Sequence, residues 1–221
     1  MDKNELLEAL RLLPTGNIAD AMVNLGLPCG VMVSPPPAID LRQPRMAGYA
    51  YTLVQMPRHQ AETEKSLVRH PEVIDSLAQP GDVVVMDVGG RLDVCSGGAL
   101  FALRAKMRGL AGFLVEGCLR DLNEMVEIGL PVFCRGGSPT KSAPGVQTVA
   151  VGVPVCLGGV QVRPGDVIVG DDTGIVVFPT AFAEVILAEA QRIQRMEECV
   201  EKHIREGHSV AESRKRAAAE A

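Results

Sequence analysis

The sequence predicts an α/β protein folded as a single domain, and three observations carry that reading. From residue 83 to 115 the chain passes from an apolar strand, Val83–Val88, through Gly89-Gly90 and a helix from about Gly98 to Arg108, into a second apolar strand, Gly112–Val115. Strands without polar alternation are buried on both faces, and a helix joining two of them makes a parallel crossover unit. Strands crowd the chain after Val146, while helix-period segments open and close it. A length of 221 residues suits one sizeable core, so the whole span 1–221 is read as one domain.

The elements follow in order. Helices are expected over Lys3–Leu13 and about Asn17–Leu25, parted by Pro14-Thr15-Gly16. Pro35-Pro36-Pro37 marks an extended connection. Ala47–Met56 reads as a strand, and a helix around Glu64–Leu77 ends at Gln79-Pro80-Gly81-Asp82. Gly89-Gly90 opens an irregular loop, and Gly109 stops the helix that began near Gly98. After Asp121 a short helix reaches Ile128, followed by the strand Pro131–Arg135. Val146–Val151, Val153–Leu157, Val160–Val162, Val167–Gly170 and Ile175–Phe178 read as strands. Thr180 caps a C-terminal helix of about residues 180–206, and the charged, Ala-rich residues 212–221 are expected to fray. Pro-Gly-Asp recurs at 80–82 and 164–166, each time before a β-branched strand, which predicts one turn used twice.

Composition narrows the function. Aromatic residues are 3% of the chain with no Trp, and the net charge is -5, so neither stacking platforms nor a basic field for nucleic acid is present. No stretch approaches about 18 uninterrupted apolar residues and the N-terminus lacks an apolar signal core, so a cytoplasmic protein without a membrane partner is expected. The six cysteines (Cys29, Cys95, Cys118, Cys134, Cys156 and Cys199) form no C-x-x-C pair and read as buried free thiols. His59, His70, His203 and His208 include no H-x-x-x-H pair, which disfavours a zinc site; His203 and His208 are expected to face solvent.

The segment with chemistry in it is Asp93–Asp121. Ser96-Gly97-Gly98 precedes a helix: Ser96 can cap it, and the glycines let backbone amides approach an anionic ligand at the positive helix end. The strand that begins at Gly112 leads to Arg120-Asp121. In a parallel sheet both features meet at the carboxyl ends of the strands, where ligands bind. A carboxylate there can hold a hard cation, and a guanidinium can polarise an oxygen that gains charge in a transition state. With few other ligands in reach, Asp121 and water suit Mg²⁺ or Mn²⁺. Asp171-Asp172 read as closing a turn with Gly174, and Lys141 and Ser138 as loop residues.

The run G-G-A-L-F-A-L-R-A-K-M-R-G-L-A-G-F-L-V-E-G-C-L-R-D, together with R-P-G-D-V-I-V-G-D-D-T-G-I-V-V-F-P, resembles the RraA-like family. That family includes 4-hydroxy-4-methyl-2-oxoglutarate/4-carboxy-4-hydroxy-2-oxoadipate aldolases and a regulator of ribonuclease E activity. The resemblance implies a three-layer α/β/β sandwich assembled as a homotrimer or homohexamer. It implies a divalent-metal-dependent lyase that releases pyruvate from a small 2-oxo acid, with oxaloacetate decarboxylation as a related activity. By the same likeness Arg120 contacts the C2 oxygen, Asp121 binds the metal, and the amides of Gly98, Ala99, Leu100 and Phe101 hold the substrate carboxylate. A glutamate from a neighbouring subunit's C-terminal helix, matched by Glu197 or Glu198, helps hold the metal's water. One departure stands out: family aldolases often carry an acid where this chain has Ala99. Losing such an orienting group weakens metal affinity or activity roughly 10–100-fold, and Glu116, Asp93, Asp171 and Asp172 are the acids that could stand in. The alternative implied by the likeness is a non-catalytic regulator that binds a ribonuclease. No G-x-x-x-x-G-K-[ST] or dinucleotide fingerprint supports a nucleotide or methyl-donor site.

Overall fold

The structure is a computed structural model and describes residues 1–59 and 69–220. The first part of the helix expected at Glu64–Leu77 lies outside the described residues. Its remainder is a helical turn at His70–Glu72 (α3) that continues as a π-helical turn, Val73–Leu77.

Four strands run parallel in the order β4-β3-β2-β1: Met46–Pro57 (β1), Asp82–Cys95 (β2), Gly112–Leu119 (β3) and Val132–Gly137 (β4). Beyond β1 the sheet turns antiparallel, with Val167–Gly170 (β8) and Ile175–Phe178 (β9). A short helical turn, Ser142–Gly145 (α6), leads into Val146–Val151 (β5), which pairs with the far end of β1. Helices Ala99–Met107 (α4) and Leu122–Ile128 (α5) make the crossovers from β2 to β3 and from β3 to β4.

The pleat of β1 shows how the layers form, because successive side chains point to opposite faces. Ala47 and Leu53 face the helices: Ala47 packs with Lys3–Arg11 (α1), Thr15–Asn24 (α2) and Ala183–Arg205 (α7), and Leu53 with α4 and α5. Met46 and Ala50 face the other way, onto Met32 and a hairpin of Val155–Leu157 (β6) and Val160–Val162 (β7). The result is helices, seven-stranded sheet and small hairpin: a three-layer α/β/β sandwich. On α7 the buried residues Ala183, Ile186, Leu187 and Ala190 recur at helical spacing, which seats that helix against the sheet.

The repeated Pro-Gly-Asp is one turn used twice. Gly81 and Gly165 take φ +87° and +85°, and in each turn the aspartate closes back on the residue before proline. Asp82 Oδ2 accepts from Gln79 N at 2.7 Å, and Asp166 Oδ2 accepts from Arg163 N at 2.8 Å. The turns deliver β2 and β8 to opposite sides of β1, through Tyr49 N to Gly81 O and Ala50 N to Asp166 O.

Several expectations are corrected. Gly89-Gly90 does not end a strand: β2 continues to Cys95, with both glycines at positive φ and the register shifting between Asp87 and Cys95. Ser96 does not cap α4; its hydroxyl donates to Gln55, and Gly98 occupies the cap position. Thr180 likewise bonds Gly165 O, in a short 3₁₀ turn ahead of α7. Residues 210–220 are not frayed but form a helix, α8, packed on α7 through buried Ser213 and Ala217. His203 is buried rather than solvent-facing. All six cysteines are free, but Cys29 and Cys156 are exposed. Cys156 points outward because its neighbours Val155 and Leu157 point inward along β6.

Candidate functional site

β3 runs to Leu119, so Arg120 and Asp121 stand immediately beyond the carboxyl end of a buried strand. Two backbone bonds lock this end to the start of α4: Ser96 N to Cys118 O at 2.8 Å and Arg120 N to Gly97 O at 3.0 Å. Asp121 adopts φ 56°, ψ 43°, and is the one non-glycine residue at positive φ among those described. That conformation costs an L-residue roughly 1–2 kcal/mol, and such strain concentrates at functional sites.

The strained backbone turns the Asp121 carboxylate onto the N-terminus of α4. Its Oδ2 accepts from Ala99 N at 3.3 Å and lies 3.5 Å from Arg120 Nε. Oδ1 has no partner among the described residues. Phe101 N bonds Gly98 O at 3.0 Å, which leaves the amides of Gly98 and Leu100 unpaired among the described residues at a positive helix end. Of the four amides assigned by resemblance, two are therefore engaged within the chain and two are open. The Leu100 side chain is itself 80% exposed and takes no part in this corner.

Arg120 borders a cleft of about 170 Å³ lined also by His70, Gly97, Gly98, Phe101 and Lys141. His70 is a functional candidate that the sequence did not single out, and Lys141, read from the sequence as a loop residue, reaches the same cleft. His70 is buried, stands edge-on to Phe101 at 4.7 Å, and its Nδ1 lies 3.2 Å from Gln55 Nε2. Ser96 Oγ donates to Gln55 Oε1, which turns the Gln55 amide nitrogen toward His70. That network leaves Nδ1 as acceptor and puts the proton on Nε2. Burial pushes the imidazole down to about 4, so it is neutral at pH 7. Local sequence holds no sign of this, because Gln55, His70 and Ser96 belong to three separate elements. Lys141 is exposed on the loop after β4, which provides no burial for Schiff-base chemistry but places a cation at the cleft.

Of the four acids that could replace a carboxylate at Ala99, three are engaged elsewhere, and Asp172 is exposed in the turn between β8 and β9. Glu116 forms a partly buried pair with Arg135 at 2.6 Å, and Asp93 pairs with Arg91 at 2.5 Å. Asp171 closes its turn on Thr173 N and Gly174 N and holds Thr15 at the start of α2. Glu197 accepts from Asn17 Nδ2 at 2.8 Å within its own chain, and Glu198 accepts from Gln194. Neither is joined to Asp121 within the chain. No helix among the described residues is long and apolar enough to cross a membrane.

A strand-end carboxylate and guanidinium set against a helix N-terminus mark the candidate corner of this α/β sandwich. The family model RraA-like, described as Aldolase/RraA, matches residues 15–177, and the chain belongs to that family. It is 38% identical over 128 residues to a protein of Halalkalibacterium halodurans provisionally named a 4-hydroxy-4-methyl-2-oxoglutarate aldolase, a match covering 58% of this chain and 60% of that one. Among solved structures, an uncharacterized protein from Pseudomonas syringae pv. tomato covers 96% of this chain and 97% of its own, with TM-score 0.82 and 24% identity, and so shares the fold. Streptomyces coelicolor RraAS2, described as an unusual member of the RNase ES inhibitor RraA protein family, is 31% identical with TM-score 0.76, over 90% of this chain and 96% of its own.

Proposed function

We propose that the chain is a divalent-metal-dependent carbon–carbon lyase that cleaves a 4-hydroxy-2-oxo dicarboxylic acid to pyruvate and a second oxo acid, and decarboxylates oxaloacetate. The observation that carries the reading is Asp121, held in a strained left-handed conformation beside Arg120 at the end of a buried strand. One half-exposed carboxylate with a free oxygen suits Mg²⁺ or Mn²⁺, which take few protein carboxylates and keep several waters. When bound, such an ion supplies Lewis acidity at the substrate's C2 carbonyl.

The chain's own groups divide the rest of the work. The open amides of Gly98 and Leu100 meet the C1 carboxylate at the positive end of α4. Arg120 sits beside them and stabilises negative charge on the C2 oxygen as the C3–C4 bond breaks. Lys141 faces the distal carboxylate across the cleft, and His70 Nε2–H is a neutral donor that cannot itself take a proton from substrate at pH 7. Because Ala99 offers no acid, decarboxylation, which needs no proton taken from a C4 hydroxyl, should survive better than aldol cleavage.

A homotrimer or homohexamer is the assembly that fits this reading. Leu100, Leu103 and Met107 are 80%, 46% and 75% exposed along one stripe of α4, beside the site, where a neighbouring subunit could cover them. The likeness to RraAS2 favours a second reading, in which that stripe binds a ribonuclease and the chain has no catalysis. Pyruvate release from 4-hydroxy-4-methyl-2-oxoglutarate and from oxaloacetate, with Mg²⁺ and with excess chelator, separates the two. Pyruvate that needs metal and is lost in Asp121→Asn supports the lyase; none from either substrate, with folded wild type and added metal, favours the regulator.

A further inference from the structure

At the other end of the chain, α7 and α8 bring together a set of ligand atoms that shares no residue with the strand-end site. Cys199 and His203 lie four residues apart, on one face of α7. Glu220, from the last turn of α8, reaches both: its Oε1 is 3.0 Å from His203 Nε2, and its Oε2 accepts from the Cys199 thiol at 3.3 Å. Sequence spacing alone does not mark this set, because the third ligand comes from a second helix, α8.

We propose that Cys199, His203 and Glu220 form a binding site for one thiophilic divalent cation of the Zn²⁺ class, which clasps α8 onto α7. The sulfur, nitrogen and oxygen ligand atoms lie within 4.8 Å of one another. Bonds of about 2.3 Å to sulfur and about 2.0 Å to nitrogen and oxygen set tetrahedral edges of roughly 3.3–3.5 Å, so the contacts to Glu220 open slightly while the sulfur–nitrogen edge, now within 4.8 Å, adjusts to match. The thiol proton that bridges to Glu220 and the Nε2 proton through which His203 faces Glu220 both leave to solvent, and the cation takes their place. On the far side of the ring, Glu206 Oε2 lies 3.1 Å from His203 Nδ1. A carboxylate there fixes the imidazole with Nε2 free as the ligand, an arrangement common behind metal-bound histidines. Cys199 and Glu220 also border a cavity of about 640 Å³ with Arg192, Arg195, Met196 and Ala217, which gives an ion a way in.

A competing set shares the same imidazole: His203, Glu206 and His208. The thiolate set is preferred because sulfur selects zinc-like over magnesium-like ions and because its third ligand ties two helices together.

The test uses the full chain carrying Asp121→Ala, so that the strand-end carboxylate does not contribute. Zn²⁺ is titrated calorimetrically, and Co²⁺ is followed by absorbance for a thiolate-to-metal charge-transfer band. One ion per chain is expected, with the band present and with slower hydrogen exchange across residues 210–220 once Zn²⁺ is added. Cys199→Ala should remove the band and weaken Zn²⁺ at least about 10-fold, Glu220→Gln should weaken it to a similar degree, and His208→Ala should change nothing. Absence of binding overturns the proposal. So does Zn²⁺ binding that Cys199→Ala leaves intact, including the case where His208→Ala abolishes it. Cys199→Ala changes a half-buried position and Glu220→Gln an exposed one, and the folding of all three variants is checked by the same exchange measurement over the sheet.

Discussion

A Cβ built on Gly98 would stand 2.5 Å from Asp121 Oδ2 and 3.1 Å from Arg120 Cγ. The backbone of α4's cap residue and the two side chains beyond β3 therefore occupy one tightly fitted corner, and glycine is what lets them meet. Gly98→Ala should displace both side chains. Its backbone is extended at φ −151°, ψ −170°, which alanine tolerates, so the effect falls on the site more than on the fold. We expect a drop in kcat/KM of at least about 10-fold with a stability loss of roughly 1–2 kcal/mol, read by pyruvate release and urea denaturation. Wild-type kinetics in the alanine variant would show that the corner is not where the reaction happens.

In the proposed reaction Asp121 combines a chemical role with a conformational one, and substitution can separate them. Asparagine tolerates the left-handed region nearly as aspartate does, whereas glycine adopts it without strain. Asp121→Asn should fold with wild-type stability and lose metal-dependent activity. Asp121→Gly should lose the activity and gain up to about 1 kcal/mol. If Asp121→Gly proves markedly less stable than wild type, the strain reading is wrong and the carboxylate is holding the α4 corner together.

Much of this corner was legible before any coordinates. Two apolar strands flanking a helix fixed the parallel crossover, and that topology alone brings Gly98 and Arg120-Asp121 to one end of the sheet. What escaped was long-range. His70 enters the cleft through a chain of side chains from β1 and the β2–α4 link, which no local pattern encodes. β2 outran its expected end because glycine at positive φ can bend a strand as well as stop one. α8 escaped because its Ala-rich composition reads as a tail until Ser213 and Ala217 are seen packed on α7. The left-handed turn at Asp121 had no signal either, since aspartate is common in both conformations.

His70 gives the fold a pH dependence of known sign. Its folded-state value of about 4 lies below the 6.5 of the exposed ring, because burial disfavours the imidazolium. Between those values the unfolded chain binds the proton more readily, so stability falls as pH drops from about 6.5 to about 4 and levels off below. The contribution is about 3 kcal/mol at most. His70→Gln should flatten this part of the stability–pH curve in denaturant titrations. An unchanged slope would place the titrating group elsewhere.

Lys141 is predicted to act on binding rather than on chemistry. An exposed cation at the cleft wall suits the distal carboxylate of a dicarboxylic substrate, and a charge-assisted contact of that kind is worth about 1.5–3 kcal/mol. Lys141→Met should raise KM roughly 10–100-fold, leave kcat within a small factor, and leave stability unchanged because the residue is exposed. A fall in kcat at constant KM would instead assign Lys141 to the bond-breaking step.

Asp171 offers the opposite contrast, an acid with every mark of a ligand that the structure assigns to the scaffold. It is 6% exposed, and its carboxylate accepts from Thr15 N at 2.9 Å, Thr15 Oγ1 at 2.7 Å and Thr173 N at 2.9 Å. Those bonds pin the start of α2 to the turn between β8 and β9. Removing the carboxylate leaves buried donors unpaired, each costing about 1–3 kcal/mol. Asp171→Ala should therefore lower stability by several kcal/mol, with Asp171→Asn losing less because its amide oxygen can still accept. Activity per folded molecule and the Mg²⁺ dependence should both be unchanged in the asparagine variant. A shifted metal requirement in folded Asp171→Asn would mean that this acid, rather than Asp121 alone, helps hold the ion.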